Sequence, residues 1–174
     1  VRADQVALEV AWRAPDRWQQ TMVGRRSEKR LPTSIRYHLD HLVMVMGNFG
    51  ERIRMGEGTE VRDVLHPAAP GALDFYEYRM ADSLGLRVAD RRMRLYEIQV
   101  RPRARDSAGV VGELQVVRES RAVARMRFTF TPAAYRDPQL ERIEVDLQSA
   151  LYDGRWWLPA EQSTEIRRQV RWLA

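Results

Sequence analysis

The chain has no cysteine in its 174 residues, which excludes disulfides, thiolate metal centres and cysteine catalysis. Lysine is nearly as scarce: Lys29 is the single lysine among 29 basic residues, and the rest are arginine. Only three histidines occur, His38, His41 and His66. The first two flank a turn, and as strand positions three apart they face opposite ways, so a shared metal would need the turn to fold them together. Solvent-exposed turn histidines are the simpler reading. No apolar run approaches the ~20 residues of a transmembrane helix, and no stretch has the pattern of a signal peptide. Val1 in place of methionine reads as a processed or partial chain, compatible with an export signal lost before it.

Catalytic signatures are missing as well. There is no nucleophile elbow, phosphate loop, dinucleotide fingerprint or helical zinc-protease motif. Gly47-Asn48-Phe49-Gly50 and Gly56-Glu57-Gly58 lack a following lysine and an amphipathic helix, so they read as turns. The carboxylate pairs Asp82 with Asp90 and Asp146 with Asp153 fall on polar faces or hairpin ends, where carboxylates are solvated. The expectation is a protein without catalytic residues, metal or cofactor.

The net charge is +5, a value that raises the question of nucleic acid. The arginines, however, alternate with acids along nearly every segment, whereas binding to phosphates needs clusters of one sign. Arginine in place of lysine fits GC-rich base composition. Residues 24–30 are the one locally basic stretch and read as a solvated loop. No nucleic-acid partner is expected.

What is present is alternation. Ile143, Val145, Leu147 and Leu151 share one face of a strand while Arg142, Glu144, Asp146 and Gln148 share the other. Asp153-Gly154 follows, the strongest short hairpin signal, because both central residues of a type I′ turn need positive φ. A two-residue loop there sets Leu151 opposite Trp156, Leu147 opposite Ala160, and Trp157 on the other face. Pro159 cannot donate to a ladder, which favours an edge strand or a bulge. Further strands are expected over residues 5–13, 17–23, 73–88 (with an irregular middle), 92–101, 110–118 and 122–131. Glu119-Ser120-Arg121 leaves the register of the last pair open. About ten strands and few helices give a mainly β, antiparallel sheet in one domain, residues 1–174, large enough that it must curl, split or close.

Residues 42–46 are apolar at every position, so both faces of that strand are covered, by core or by a lid or ligand. The connection 56–71, with one helical turn around residues 60–64, is long enough to be such a lid. Methionines and aromatics suit either an ordinary core or an irregular cavity for flexible apolar molecules. The candidate cavity residues are Trp18, Met22, Tyr37, Met44, Met46, Phe49, Met55, Phe75, Tyr76, Met126 and Phe128.

Several segments together resemble a known superfamily. Ala14-Pro15-Asp16-Arg17-Trp18-Gln19-Gln20, an apolar hairpin, a lid-like connection, Leu95-Tyr96-Glu97-Ile98-Gln99-Val100-Arg101-Pro102, Gly112-Glu113-Leu114-Gln115-Val116 and Asp153-Gly154-Arg155-Trp156-Trp157-Leu158-Pro159 are similar to the lipoprotein-localisation-factor superfamily and its envelope relatives. The resemblance implies a strongly curved antiparallel half-barrel of about eleven strands, its concave apolar side capped by short helices or loops. It implies a periplasmic location and a non-enzymatic role, binding a lipid acyl chain or another hydrophobic small molecule. The alternative it offers is an accessory domain of an outer-membrane or lipoprotein assembly, its cavity filled by its own side chains. Arg13, Arg17, Arg36 and Arg54 all compete for the lipid-handling arginine of that superfamily. If Asp153-Gly154 closes the hairpin, Gly154→Val places a β-branched residue at positive φ and lowers stability by more than about 1 kcal/mol in urea denaturation.

Overall fold

The computed structural model describes residues 2–13, 17–29, 51–55, 59–88 and 91–169. The elements in chain order are β1 (Arg2–Arg13), β2 (Arg17–Lys29), β3 (Arg52–Ile53), β4 (Val64–Leu65), α1 (Ala72–Phe75), β5 (Tyr76–Val88), β6 (Arg91–Pro102), β7 (Val110–Val117), β8 (Val123–Phe130), a 3-10 turn (Pro132–Ala134), β9 (Leu140–Tyr152) and β10 (Trp156–Arg168). The fold is mainly β, as expected. Strands β5 to β10 form one open, curved antiparallel sheet in the order β10-β9-β8-β7-β6-β5, so each strand pairs with its neighbours in sequence. Strands β1 with β2, and β3 with β4, form separate two-stranded ladders.

Alternation decides which face of the sheet is apolar. In β8 the side chains of Met126, Phe128 and Phe130 are buried, while Arg125, Arg127 and Thr129 take the opposite face by period two. The register lines Leu114, Met126 and Leu147 up across three strands, and Gly112, Phe128 and Val145 beside them. A Cβ on Gly112 would lie 2.0 Å from the Arg127 carbonyl oxygen and 2.6 Å from the Phe128 Cα. The close approach of β7 to β8 therefore requires glycine. Irregularities between Met80 and Asp82, Gln115 and Val116, Pro159 and Glu161, and Arg167 and Arg168 interrupt the ladders. Each adds bend and twist, which curves a sheet whose longest strands run to 13 residues.

The hairpin at Asp153-Gly154 forms, with φ of 50° and 61° at its two central residues. The Arg155 N–H donates to the Tyr152 carbonyl at 2.9 Å. Its register differs from the two-residue reading. Tyr152 faces Trp156, Leu151 faces Trp157, and beyond the irregularity Leu147 faces Gln162. Arg155 stays outside the ladder and lengthens the loop by one residue. The second slip falls at Ala160, after the proline that cannot donate, on a strand that is indeed a sheet edge.

Other expectations are corrected by backbone partners that lie far away in sequence. Residues 24–29, read as a solvated loop, belong to β2 and pair with residues 2–7; a charged ladder needs only its backbone bonds to extend. Residues 60–64 are not helical: the Arg62 N–H donates to the Ala134 carbonyl and the Arg136 N–H to that of Glu60, both at 2.8 Å, and Val61 bridges Tyr135. Residues 73–75, read as strand, belong to α1, which follows Gly71 where the chain turns at φ 77°. The Glu119-Ser120-Arg121 turn closes with Arg121 at φ 58°, its N–H donating to the Val117 carbonyl at 2.7 Å. Gly112→Ala should lower stability by about 1–3 kcal/mol through overpacking. Gly85→Ala, where an added Cβ meets nothing within 4 Å, should gain about 0.5 kcal/mol. Urea midpoints of the two variants check both signs.

Candidate functional site

The apolar face of the sheet is where the sequence placed a cavity, and residues 51–55 and 59–75 cover it. Ile53, Met55, Val61, Val64 and Ala72 belong to the same buried cluster as Met126, Phe128 and Val145 of the sheet. Polar groups at the seam are matched one by one. The Tyr76 hydroxyl donates to the Leu65 carbonyl at 2.7 Å and accepts from the Val110 N–H at 3.3 Å. The Tyr78 hydroxyl donates to the Pro67 carbonyl at 2.7 Å. His66 is buried rather than exposed, and its Nδ1 accepts from the Ala68 N–H at 2.9 Å. At the other edge Arg168 reaches Glu60 at 2.5 Å and Asp137 at 2.9 Å, joining the cover, the loop after β8 and the last strand. Gly109 leaves room for this packing: a Cβ there would lie 2.7 Å from Pro102 Cγ and 3.2 Å from the Tyr76 hydroxyl.

Burial pushes the Tyr76 phenol up to about 12. The Val110 N–H, which favours the phenolate, offsets this only in part; Tyr78 adds to the rise and Arg52 opposes it. Burial raises Tyr78 too, against the pull of Arg103. Both hydroxyls thus stay protonated, which is the form that can donate to the carbonyls of the cover.

The sequence candidates divide three ways. Met55, Tyr76, Met126 and Phe128 come together in the buried cluster, with Phe75 packed against it; its ring meets that of Tyr76 edge to face at 4.7 Å. Met22 does not join them: it is 44% exposed on β2, opposite Leu8 in register. Trp18 pairs with Trp12 across the β1–β2 ladder. Tyr37, Met44, Met46 and Phe49, like His38, His41 and the apolar run 42–46, lie outside the described residues. Sequence reading missed the Arg168 clamp, and no local signal could have found it, since Glu60 and Arg168 are 108 positions apart.

The reverse face of the sheet carries a groove of about 400 Å³ lined by Glu113, Arg127, Arg142, Glu144, Asp146 and Glu165 among others. It is lined by ion pairs, two across strands and two within a strand. Arg127 donates to Glu113 at 2.7 Å, Arg125 holds Asp146 with two hydrogen bonds of 2.9 and 2.5 Å, Arg142 meets Glu144 at 2.7 Å, and Arg167 meets Glu165 at 2.9 Å. Hydrogen bonding to Asp146 raises the Arg125 pKa against partial desolvation. Each carboxylate of the groove is engaged by an arginine. Among the described residues no group of three or more histidine or carboxylate side chains is placed to hold a metal ion.

Among known protein families, residues 5–173 match one described as a family of unknown function, DUF5686. No curated protein and no solved structure matches the chain.

Tyr76→Phe removes the donor to the half-buried Leu65 carbonyl and the acceptor of the buried Val110 N–H, and should lower stability by about 1–3 kcal/mol. The raised Tyr76 pKa gives the pH dependence its sign. The unfolded tyrosine ionises from about 10 upward, so the unfolded state loses its proton first and stability falls between that pH and about 12. Urea denaturation across this range should show the loss in the wild type and a smaller one in Tyr76→Phe.

Proposed function

For this chain, which belongs to the DUF5686 family, we propose the role of a non-enzymatic interaction or accessory domain of the bacterial envelope, its interior filled by its own side chains. The observation that carries the reading is the burial of the residues expected to wall a ligand cavity. Met55, Tyr76, Met126 and Phe128 are 1%, 0%, 1% and 4% exposed and pack in one cluster with the cover. A wall lining an open cavity would keep accessible surface on its inner side. Closure of the cover by tyrosine hydroxyls and the Arg168 clamp supports the same reading, because entry of an acyl chain would break these bonds. The resemblance to envelope relatives of the lipoprotein-localisation-factor superfamily supports the location. The arginine-neutralised carboxylates of the groove support a role without acid–base chemistry.

An acyl chain or other hydrophobic molecule in the concave face is the competing occupant, and native mass spectrometry separates the two. Protein purified from a bacterial host should fly at the mass of the bare chain, and a fluorescent fatty acid should gain no emission on mixing with it. A co-purified acyl species released on denaturation, or saturable probe binding abolished by Met126→Asp, would sink the filled-interior reading and restore the carrier.

A further inference from the structure

The antiparallel order brings the β5–β6, β7–β8 and β9–β10 connections to one end of the sheet. Among the described residues, that end gathers exposed arginines. Arg87, Arg92, Arg94, Arg118, Arg121 and Arg155 are all exposed there, against the two exposed carboxylates Glu119 and Asp153; the consecutive Asp90 and Arg91 cancel in formal charge. None of the six makes an ion pair with another described residue, whereas elsewhere Arg54, Arg101, Arg125, Arg127, Arg142, Arg167 and Arg168 each engage a carboxylate. Arg62, Arg79, Arg103 and Arg105 are exposed elsewhere without such a pair, so what marks this end is the number of exposed arginines gathered there against two exposed carboxylates.

Large apolar side chains stand among these cations. Trp156 is 55% exposed, Tyr152 47%, Leu84 44%, and Leu86 and Leu158 39% each. Tyr152 and Trp156 face each other across the hairpin, and the Arg155 guanidinium sits 4.9 Å from the Trp156 ring centre. Indole and phenol rings have an apolar body and a polar edge, the combination enriched where membrane meets water. Arginine stems lie along apolar surface while the guanidinium reaches phosphate.

We propose that this end of the sheet docks on the surface of an anionic lipid bilayer, the six arginines meeting headgroup phosphates while Trp156, Tyr152, Leu158, Leu84 and Leu86 enter the headgroup boundary. Charge complementarity selects the partner, and the leucines separate a bilayer from a nucleic acid, since an aliphatic side chain offers a base neither stacking nor a hydrogen bond. The arginines that alternate with acids in sequence are thus gathered by the fold into a surface with an excess of positive charge. The assignment names a partner for the interaction domain proposed above and rests on that reading. Interior occupancy and vesicle binding are read separately, so failure of one is distinguishable from failure of the other.

Flotation of the full chain with phosphatidylcholine vesicles containing about 30 mol% phosphatidylglycerol tests the proposal. The protein should float with these vesicles, remain behind with pure phosphatidylcholine, and lose binding as salt shortens the Debye length. Charge reversal in Arg87→Glu with Arg118→Glu should weaken binding by about tenfold or more, while Arg105→Glu in the loop at the opposite end should leave it within about twofold, a surface change away from the docking end. Tryptophan emission should shift to the blue on vesicle binding, and Trp156→Phe should remove most of that shift. Equal binding to neutral vesicles, an unaffected double variant of normal circular dichroism, or tighter binding to random single-stranded RNA than to anionic vesicles would overturn the assignment, the last transferring the surface to nucleic acid.

Discussion

The Tyr76 hydroxyl is the contact on which the rest of the structure depends. It stands where β5 leaves α1, is fully buried, and satisfies two main-chain groups at once, the Leu65 carbonyl of the cover and the Val110 N–H at the start of β7. The Val110 N–H is fully buried, so its bond is worth more through the penalty of its loss than through its own strength. Around it the rings of Phe75 and Tyr78 meet Tyr76 edge to face, and Gly109 is small enough to let the hydroxyl in. A cover of two-residue strands and one helical turn has little stability of its own. It stays in place because its apolar residues complete the core of the sheet and its carbonyls are held by tyrosines.

That arrangement gives the sheet two different faces. Beneath the cover, methionine and phenylalanine fill space against valine and isoleucine. On the reverse face, arginine and carboxylate alternate across β7 to β10 in ion pairs that are largely solvated. Such pairs each contribute little to stability, but they keep the long outer face of an open sheet soluble and in register, as cross-strand pairs of opposite sign do. Two edges remain, β5 and β10. Pro159 with its adjoining bulge interrupts the second, and charged residues occupy much of it, two recognised ways of discouraging strand addition.

Arginine has several employments in this protein. On the reverse face of the sheet it neutralises neighbouring carboxylates, and at Arg52 and Arg103 it holds backbone carbonyls. At Arg168 it is largely buried and joins three segments of the chain through Glu60 and Asp137, where its planar fork can serve two carboxylates at once. At the hairpin end it is exposed and uncompensated. Composition alone treats all of these as the same residue.

Local pattern was enough for much of the fold. Strict alternation in β8 and β9 and the Asp153-Gly154 turn determined an antiparallel meander, because side-chain period and turn geometry are properties of adjacent residues. The same alternation marked Met126 and Phe128 as inward-facing. What lay beyond it were features made by residues distant in sequence. The slip to Tyr152–Trp156 pairing depended on whether Arg155 joined the ladder, the extended path of residues 60–64 on carbonyl and amide partners in the 131–139 loop, and the burial of Met55 on the docking of the cover. The charge pattern shows the division most clearly: along the chain arginines and acids alternate, and only the folding of three connections to one end of the sheet gathered six exposed arginines there.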